Sequence, residues 1–330
     1  MVWIKLVICI LVIFFSGQKV AKYGDIISER SGIGHVWMGV IAIAAITSLP
    51  ELFTGISAVT LVDPPVPDLT IGNLIGANAF NMFNLALLDI YQRNGLMLAA
   101  ASQAHRLTGL FSLLLVAVLA VSIFISLQFS AMPLGWIGWY TPVIILLYLF
   151  AVRQIFYFEK RHPSQEKDVT SKSDESSKRV YTIFCMSSVF IIGAGVWLAT
   201  VGDEIAATTD WGQSFVGSLF LAFTTTLPEM TVSFTAMRIG AVDMAIANMI
   251  GSNLFNLTVV PVIDVIYSKG PILTNVSESH LVTAAAVIIM TTLFIIGLRF
   301  KPKRFFRLSW WNCTLIILFI ASICFSFNMA

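Results

Sequence analysis

An all-α integral membrane protein, built from ten transmembrane helices as two inverted five-helix repeats, is the fold this sequence predicts, and three observations predict it. Apolar residues make up 57% of the 330 positions and charged residues 12%, a balance foreign to a soluble domain and suited to a bundle whose solvent is the bilayer. The apolar residues fall into runs of about 20, the length a helix needs to cross roughly 30 Å of hydrocarbon. The third observation is an internal repeat. An offset of 178 residues takes Glu51 to Glu229, Gly24-Asp25 to Gly202-Asp203, Gly34 to Gly212, Gly39 to Gly217 and Ala58 to Ala236. An offset of 175 then lays IGNLIGANAFNMF (71–83) over IANMIGSNLFNLT (246–258) and Asp89 over Asp264.

The first span is expected near residues 2–22. It follows Met-Val-Trp-Ile-Lys, and no small-residue cleavage site with a soluble domain behind it follows, so it reads as a retained helix and not a signal peptide. Spans near 35–60, 69–92, 106–126 and 132–152 complete a first repeat over 1–152, whose repeated motif covers about 35–92. Residues 153–179 are expected to be a cytoplasmic linker, because EKRHPSQEKDVTSKSDESSKR (159–179) is mixed in charge, rich in serine and poor in apolar residues. Spans near 180–200, 212–238, 242–267, 280–299 and 308–328 form the second repeat over 180–330, with its motif over about 212–267.

Charge sets the expected orientation. If alternate loops lie on alternate sides, only Lys5 and Lys269 of the 20 Lys and Arg fall on one side. The positive-inside rule makes the other side cytoplasmic and leaves both termini outside. An odd number of spans separates each helix from its copy, so the copies run in opposite directions. That is the plan of secondary transporters, whose sites lie at the midplane on broken helices. Cys9, Cys185, Cys313 and Cys324 lie scattered in apolar runs and read as small core residues. His35, His105, His162 and His280 fall at helix ends or in the linker, without a ligand partner at helical spacing, and read as interfacial.

TSLPE (47–51) and TTLPE (225–229) interrupt the second and seventh spans. Proline donates no backbone hydrogen bond, and its ring collides with the carbonyl four residues earlier. Pro50 therefore frees the carbonyl of Ile46 and crowds Thr47, while Pro228 does the same to Thr224 and Thr225. Freed carbonyls are tolerated at membrane depth where they line a polar cavity. Thr47 and Ser48 stand four and three residues before Glu51, as Thr225 and Thr226 stand before Glu229, so hydroxyls and carboxylate share a helix face. A hard cation such as Ca²⁺ takes about 6–8 oxygen ligands. Two such motifs supply many of them, with Glu51, Glu229, Thr47 and Thr225 as the principal metal ligands. No sulfur or imidazole stands nearby, which argues against zinc or copper.

The following helices add amides. Asn73, Ala77 and Asn81 recur at i, i+4 and i+8, as do Asn248, Ser252 and Asn256, beside small residues Gly72, Gly76, Ala247 and Gly251 that permit close helix approach. A buried membrane acid is a functional-site candidate, since it costs about 2.5–3.5 kcal/mol on insertion scales when left charged and unpaired. No Lys or Arg stands near either Glu on these helices. A metal ion, sodium ions or protons must then compensate. Two carboxylates balance one divalent ion, whereas three monovalent ions leave a surplus positive charge, so exchanging those loads moves charge across the membrane.

TSLPE with GNLIGANAFN, and TTLPE with ANMIGSNLFN, resemble the two alpha repeats of the sodium/calcium exchanger family of cation/Ca²⁺ antiporters. The resemblance covers about 20–92 and 198–267. It implies alternating access, with the first and sixth helices sliding against the rest around a midplane site. It also implies that Glu51 and Glu229 are the central acidic ligands, and that Thr47, Ser48, Thr225 and Thr226 give hydroxyl and carbonyl ligands. The carbonyls of Ala44 and Ala222 would help bind sodium, and Asn81, Ser252 and Asn256 would line the third and eighth helices. Three departures stand out. Ile46 and Thr224 replace a usual glycine before the motif, Ala77 replaces a common serine, and Asn256 replaces the aspartate of potassium-dependent members, which disfavours potassium co-transport.

Exchange of Ca²⁺ for Na⁺ is the leading expectation, with no cofactor and no obligate protein partner, the lipid bilayer and the transported ions being the only partners. H⁺/Ca²⁺ antiport and transport of Mn²⁺ or Mg²⁺ stay open. A cation channel fits an inverted repeat of broken helices less well. An intramembrane enzyme is disfavoured because no nucleophile and base pair, HExxH or cofactor motif occurs, and nothing points to nucleic acid. The plasma or inner membrane is the expected location.

Overall fold

The computed structural model describes residues 2–61, 63–92, 95–129, 133–162, 175–208, 221–300, 304–305 and 308–329. It is a helical membrane bundle of two inverted repeats. The first span is α1 (Val2–Ser31). The second is broken into α2 (His35–Trp37), a π-helical turn (Met38–Ile43), α3 (Ala44–Thr47) and α4 (Leu49–Thr60). The third, fourth and fifth are α5 (Pro67–Tyr91), α7 (Ala104–Gln128) and α8 (Tyr140–Arg161), with the short α6 (Met97–Ala100) between the third and fourth.

In the second repeat, α9 (Ser177–Thr208) is followed by a broken seventh span, α10 (Leu221–Thr225) and α11 (Leu227–Ile239). Then come α12 (Val242–Ile266), α13 (Ser279–Phe300) and α14 (Trp310–Met329). Residues 209–220, including Gly212 and Gly217, lie outside the described residues, as do 163–174 of the expected linker.

Three expectations need correction. The first and sixth helices run to 30 and 32 residues, well past the expected 2–22 and 180–200. Asp25 does not end α1, because it is buried and faces His35 at 3.1 Å, so its polarity is met inside the bundle. The fifth helix reaches Arg161, so the linker does not begin at 153. Glu159 is buried on it and accepts the N–H groups of Val36 (2.9 Å) and Trp37 (2.6 Å). A carboxylate from one element thus caps the start of another, where orphan N–H groups and the helix dipole favour it. The approach requires glycine at position 34, since a Cβ there would lie 1.9 Å from Glu159 Oε1.

The histidines and cysteines are the third correction. His105 is wholly buried and His280 nearly so. His105 Nε2 meets Asp243 Oδ1 at 2.8 Å, and His280 Nε2 meets Asp68 Oδ1 at 2.8 Å. Each pair joins one repeat to the other, and the 175 offset converts one into the other. The Ser102 and Ser277 N–H groups bond the same two oxygens. His35 is half-buried in a polar cluster, a ring nitrogen lying within 4.8 Å of carboxylate oxygens of Asp25 and Glu29. Only His162 is exposed. Of the four free cysteines Cys9 alone is buried; Cys185 and Cys324 face outward, since a small apolar residue is as well placed against lipid as in a core.

The centre of the bundle is the α5–α12 pair. Most of their apolar windows is buried inside the protein, 78% and 72%, against 22% for α8, which faces lipid. Asp89 and Asp264 end these helices fully buried and fasten the next segments. Asp89 accepts Met97 N–H and Asp264 accepts Ile272 N–H, eight residues on in both repeats. Asp89 also takes the amide of Asn312, and Asp264 the hydroxyls of Tyr140 and Thr141. These acids hold the loops that follow α5 and α12. A two-residue hairpin precedes the last helix of each repeat, Pro133–Leu134 with Ile137–Gly138 and Arg304–Phe305 with Leu308–Ser309. The two hairpins are related by an offset of 171, which extends the repeat to its fifth helix.

Candidate cation site

The second and seventh spans break at one residue each. Ser48 (φ −92°, ψ 4°) and Thr226 (φ −83°, ψ 0°) precede the short helices that carry Pro50 and Pro228 in their first turns. Proline suits that position because its missing N–H would be unsatisfied there anyway. Glu51 and Glu229 follow in the same first turns, both fully buried. The π-helical turn one turn earlier adds a residue to the ladder, a distortion frequent at functional sites and not expected from the sequence. It lies directly against α12: a Cβ on Gly39 would sit 2.5 Å from Ala247 Cβ, and one on Gly251 would sit 2.5 Å from Val40 Cα.

Hydroxyls and amides converge on the two acids from both repeats. Ser48 Oγ donates to Glu229 Oε1 at 2.9 Å, and Ser252 Oγ reaches the same oxygen at 3.5 Å. Thr47 donates to Asn248 Oδ1 (3.3 Å) and Thr225 to Asn73 Oδ1 (3.4 Å), two bonds exchanged by the repeat. Asn248 Nδ2 bonds the Glu229 carbonyl and Ser233 Oγ. The Ala44 carbonyl accepts Ser48 N–H and is the alternative acceptor for the Thr47 hydroxyl; the Ala222 carbonyl accepts Thr226 N–H and is the alternative acceptor for the Thr225 hydroxyl. Thr226 departs from the pattern, its hydroxyl donating back to Phe223 O at 3.1 Å.

Two further asparagines hold the α5–α12 interface. Asn78 Nδ2 bonds Asn253 O and Asn253 Nδ2 bonds Asn78 O, each at 3.3 Å. Their side-chain oxygens take the amide N–H groups of Asn256 (3.1 Å) and Asn81 (3.0 Å). With Nδ2 so engaged, Asn81 and Asn256 each keep a buried Oδ1 without a hydrogen-bond partner. Among the described residues, buried oxygens without a hydrogen-bond partner include both of Glu51, Oε2 of Glu229, and Oδ1 of Asn81 and Asn256. No ion pair reaches either Glu among them, although Glu229 lies within electrostatic reach of Glu51. Buried acceptors without donors are costly, and a dehydrated cation is the partner they suit.

The two acids are not equivalent. Ser48 and Ser252 reach Glu229, whereas their counterparts Thr226 and Ala77 bring no hydroxyl to Glu51, whose hydroxyl neighbour is Thr225. The cause is in the sequence. Ala77 stands where Ser252 stands in the other repeat, and Thr226, the counterpart of Ser48, turns its hydroxyl to its own helix. Around the site the packing keeps the symmetry: Gly76 lies against Ala222 and Gly251 against Ala44.

The family model for the sodium/calcium exchanger protein matches residues 1–157 and 179–328. The chain belongs to the sodium/calcium exchanger family. This is a family of transporters, and cation/Ca²⁺ antiport is its activity. Relatives of the exchanger include the inner membrane protein YrbG of Escherichia coli (strain K12), 23% identical over 276 residues that cover 81% of this chain and 80% of that one. Another is the putative antiporter CaxA of Alkalimonas amylolytica, 22% identical over 321 residues, 94% of each. The fold matches the sodium-calcium exchanger NCX_Mj with a TM-score of 0.73 at 19% identity, covering 98% of this chain and 99% of the other.

Sequence reasoning missed Asn78, Asn253 and Ser233, and it missed Gly195 on α9. The asparagines stand one position outside the i, i+4 stripe but match each other at the 175 offset. Gly195 matches Gly17 at the 178 offset, and its Cβ would lie 2.4 Å from Pro50 Cγ and 3.6 Å from Pro228 Cγ.

Proposed function

We propose that this exchanger moves Ca²⁺ against Na⁺ by alternating access, with net movement of charge. The observation that supports it best is the set of buried acceptor oxygens without hydrogen-bond partners on the two broken spans and the α5–α12 pair, both of Glu51, Oε2 of Glu229, and Oδ1 of Asn81 and Asn256, with no basic partner among the described residues. Its hard oxygen chemistry suits Ca²⁺ and Na⁺. Glu51 and Glu229 are the charged ligands. Thr47, Ser48, Thr225, Thr226, Ser252, Asn81 and Asn256 contribute neutral oxygens, with the Ala44 and Ala222 carbonyls at the helix breaks. Two carboxylates neutralise one Ca²⁺, so the alternative load of three Na⁺ carries one extra charge. We place this exchanger in the plasma or inner membrane with both termini outside, the segment between the fifth helix (to Arg161) and the sixth (from Ser177) in the cytoplasm, and one five-helix repeat on either side of that segment.

The test is ⁴⁵Ca²⁺ flux into proteoliposomes under separate Na⁺, K⁺ and H⁺ gradients with the potential clamped. Uptake driven by an outward Na⁺ gradient is expected; because three Na⁺ leave for each Ca²⁺ that enters, net positive charge moves outward, and an inside-positive potential should accelerate the uptake while an inside-negative one slows it. Uptake that ignores Na⁺ and follows pH would replace Na⁺ by H⁺.

That second reading has its own observation, the absence at Ala77 of the hydroxyl that Ser252 brings to Glu229. Ala77→Ser restores the hydroxyl that Ser252 provides to Glu229. The expected outcome is a severalfold lower Na⁺ concentration for half-maximal exchange, on the order of one hydrogen-bond equivalent of about 1 kcal/mol. An unchanged Na⁺ dependence would show that the hydroxyl is irrelevant to the driving ion.

A further inference from the structure

Acceptors compete for the single proton of the Thr47 hydroxyl. Asn248 Oδ1 and the Ala44 carbonyl each stand 3.3 Å away, with Ser252 Oγ at 3.5 Å. A hydroxyl donates once and accepts twice, so the choice of acceptor decides what a cation meets. The Ala44 carbonyl already accepts Ser48 N–H with one of its two lone pairs, and a proton turned back onto it fills the other. A proton given to Asn248 leaves the hydroxyl lone pairs and the second carbonyl lone pair open together.

The far end of the Asn248 amide settles the choice. Nδ2 donates to Ser233 Oγ at 2.9 Å and to the Glu229 carbonyl at 3.2 Å, both on α11. Turned over, the amide would set Oδ1 against the Glu229 carbonyl, acceptor against acceptor, and a donor against Thr47. The two anchors therefore hold Oδ1 toward the hydroxyl. Thr47, Asn248, Ser233 and Glu229 are all wholly buried, where bulk water does not make good a lost hydrogen bond.

The first repeat has the same asparagine without the anchor. Thr225 stands 3.4 Å from both Asn73 Oδ1 and the Ala222 carbonyl, but the buried Nδ2 of Asn73 has no hydrogen-bond partner among the described residues. The 178 offset puts Gly55 where Ser233 stands. The room for a side chain there is already taken, since a Cβ on Gly55 would lie 2.4 Å from Ile263 Cδ1 and 3.1 Å from Thr70 Cγ2. One amide is pinned on both sides, and its copy on one.

We propose that Asn248 is a positioning residue of the cation site: anchored by Ser233 and the Glu229 carbonyl, it draws the Thr47 proton to itself and keeps the hydroxyl and the Ala44 carbonyl open to the ion. This rests on the reading of Thr47 and Ala44 as cation ligands. Ser233 then sets affinity through Asn248, in a relay that joins α11 of the second repeat to the helix break of the first.

Ca²⁺ binding to the purified full chain, read from the rise in unfolding temperature as Ca²⁺ is added, tests the relay without transport. S233A is expected to weaken apparent Ca²⁺ affinity about fivefold, the worth of one neutral hydrogen bond. N248A should cost at least as much, and N73A, which removes the unanchored amide, about twofold at most. The decisive comparison is a double-mutant cycle. In a T47V background S233A should change affinity by less than about twofold, whereas in a T225V background the whole of its effect should remain. In flux assays S233A should raise the Ca²⁺ concentration for half-maximal uptake by the same factor and keep the maximal rate within about twofold, the pattern of lost binding. An affinity unchanged by S233A, a fivefold loss that persists in T47V, or equal losses in N73A and N248A would each overturn the relay. Stabilisation of the unaltered chain by neither Ca²⁺ nor Na⁺ would instead overturn the cation-site reading, and the relay with it.

Discussion

Glu51→Gln and Glu229→Gln are each expected to abolish Ca²⁺ uptake into proteoliposomes while the full chain stays folded. At an effective dielectric of about 20, a unit charge about 4 Å from another is worth about 4 kcal/mol, and against a divalent ion about twice that. Even a third of the larger figure, about 3 kcal/mol, is two decades in affinity. Stability should move the other way or not at all, because each substitution removes a buried charge that no protein cation balances among the described residues, and such charges are expensive in a membrane. The two variants should differ in detail. Glu229→Gln leaves an oxygen to accept from Ser48 and Ser252; Glu51→Gln removes the carboxylate whose two oxygens have no donor. Flux assays paired with thermal unfolding measure both effects. Retention of more than a tenth of the uptake by either variant would remove that residue from the site.

The parts of this architecture legible in the sequence are those written as local pattern. Apolar run length marks the spans, and the 178 and 175 offsets align the halves, because both copies keep the same residues at the helix break and on the α5 and α12 stripes. Helix ends were less legible where a polar residue finds its partner far along the chain. Gly24-Asp25 reads as the end of a helix until Asp25 is seen against His35, and Glu159 reads as linker until it caps Val36 and Trp37. The histidines teach the same lesson. Spacing along one helix cannot pair His105 with Asp243 or His280 with Asp68, since the partners stand on opposite repeats. Testing every polar residue against its copy would have exposed both pairs together, because the 175 offset carries His105 onto His280 and Asp68 onto Asp243. At the site, the residue types were legible but the distinction between the acids was not: it depends on where Thr226 turns its hydroxyl and on what stands opposite Ala77.

Gly195→Leu is expected to cut turnover at least tenfold while leaving Ca²⁺ affinity within about threefold. Even a Cβ at this position would overlap the ring of Pro50 at 2.4 Å, and proline cannot rotate away as a flexible side chain can. Extra volume forced into a packed interface costs typically 1–3 kcal/mol. Gly195 stands on α9, which the family resemblance makes a sliding helix, and it backs onto both motif prolines, so a side chain there obstructs the path of the slide and not the ligands. The repeat sharpens this. Gly17 is its copy, and perfect symmetry would set Gly17 on Pro228. It lies instead against Thr231, three residues further, roughly 4.5 Å along the helix. The two helices therefore meet the two broken spans at different heights, and if they slide as the resemblance implies, Gly17 is expected to come to face Pro228 as Gly195 leaves Pro50. Paired Ca²⁺ binding and flux measurements separate the outcomes. Normal turnover in Gly195→Leu would show that α9 does not slide past the prolines, and a loss of affinity as large as the loss of rate would make Gly195 a packing residue of the site itself.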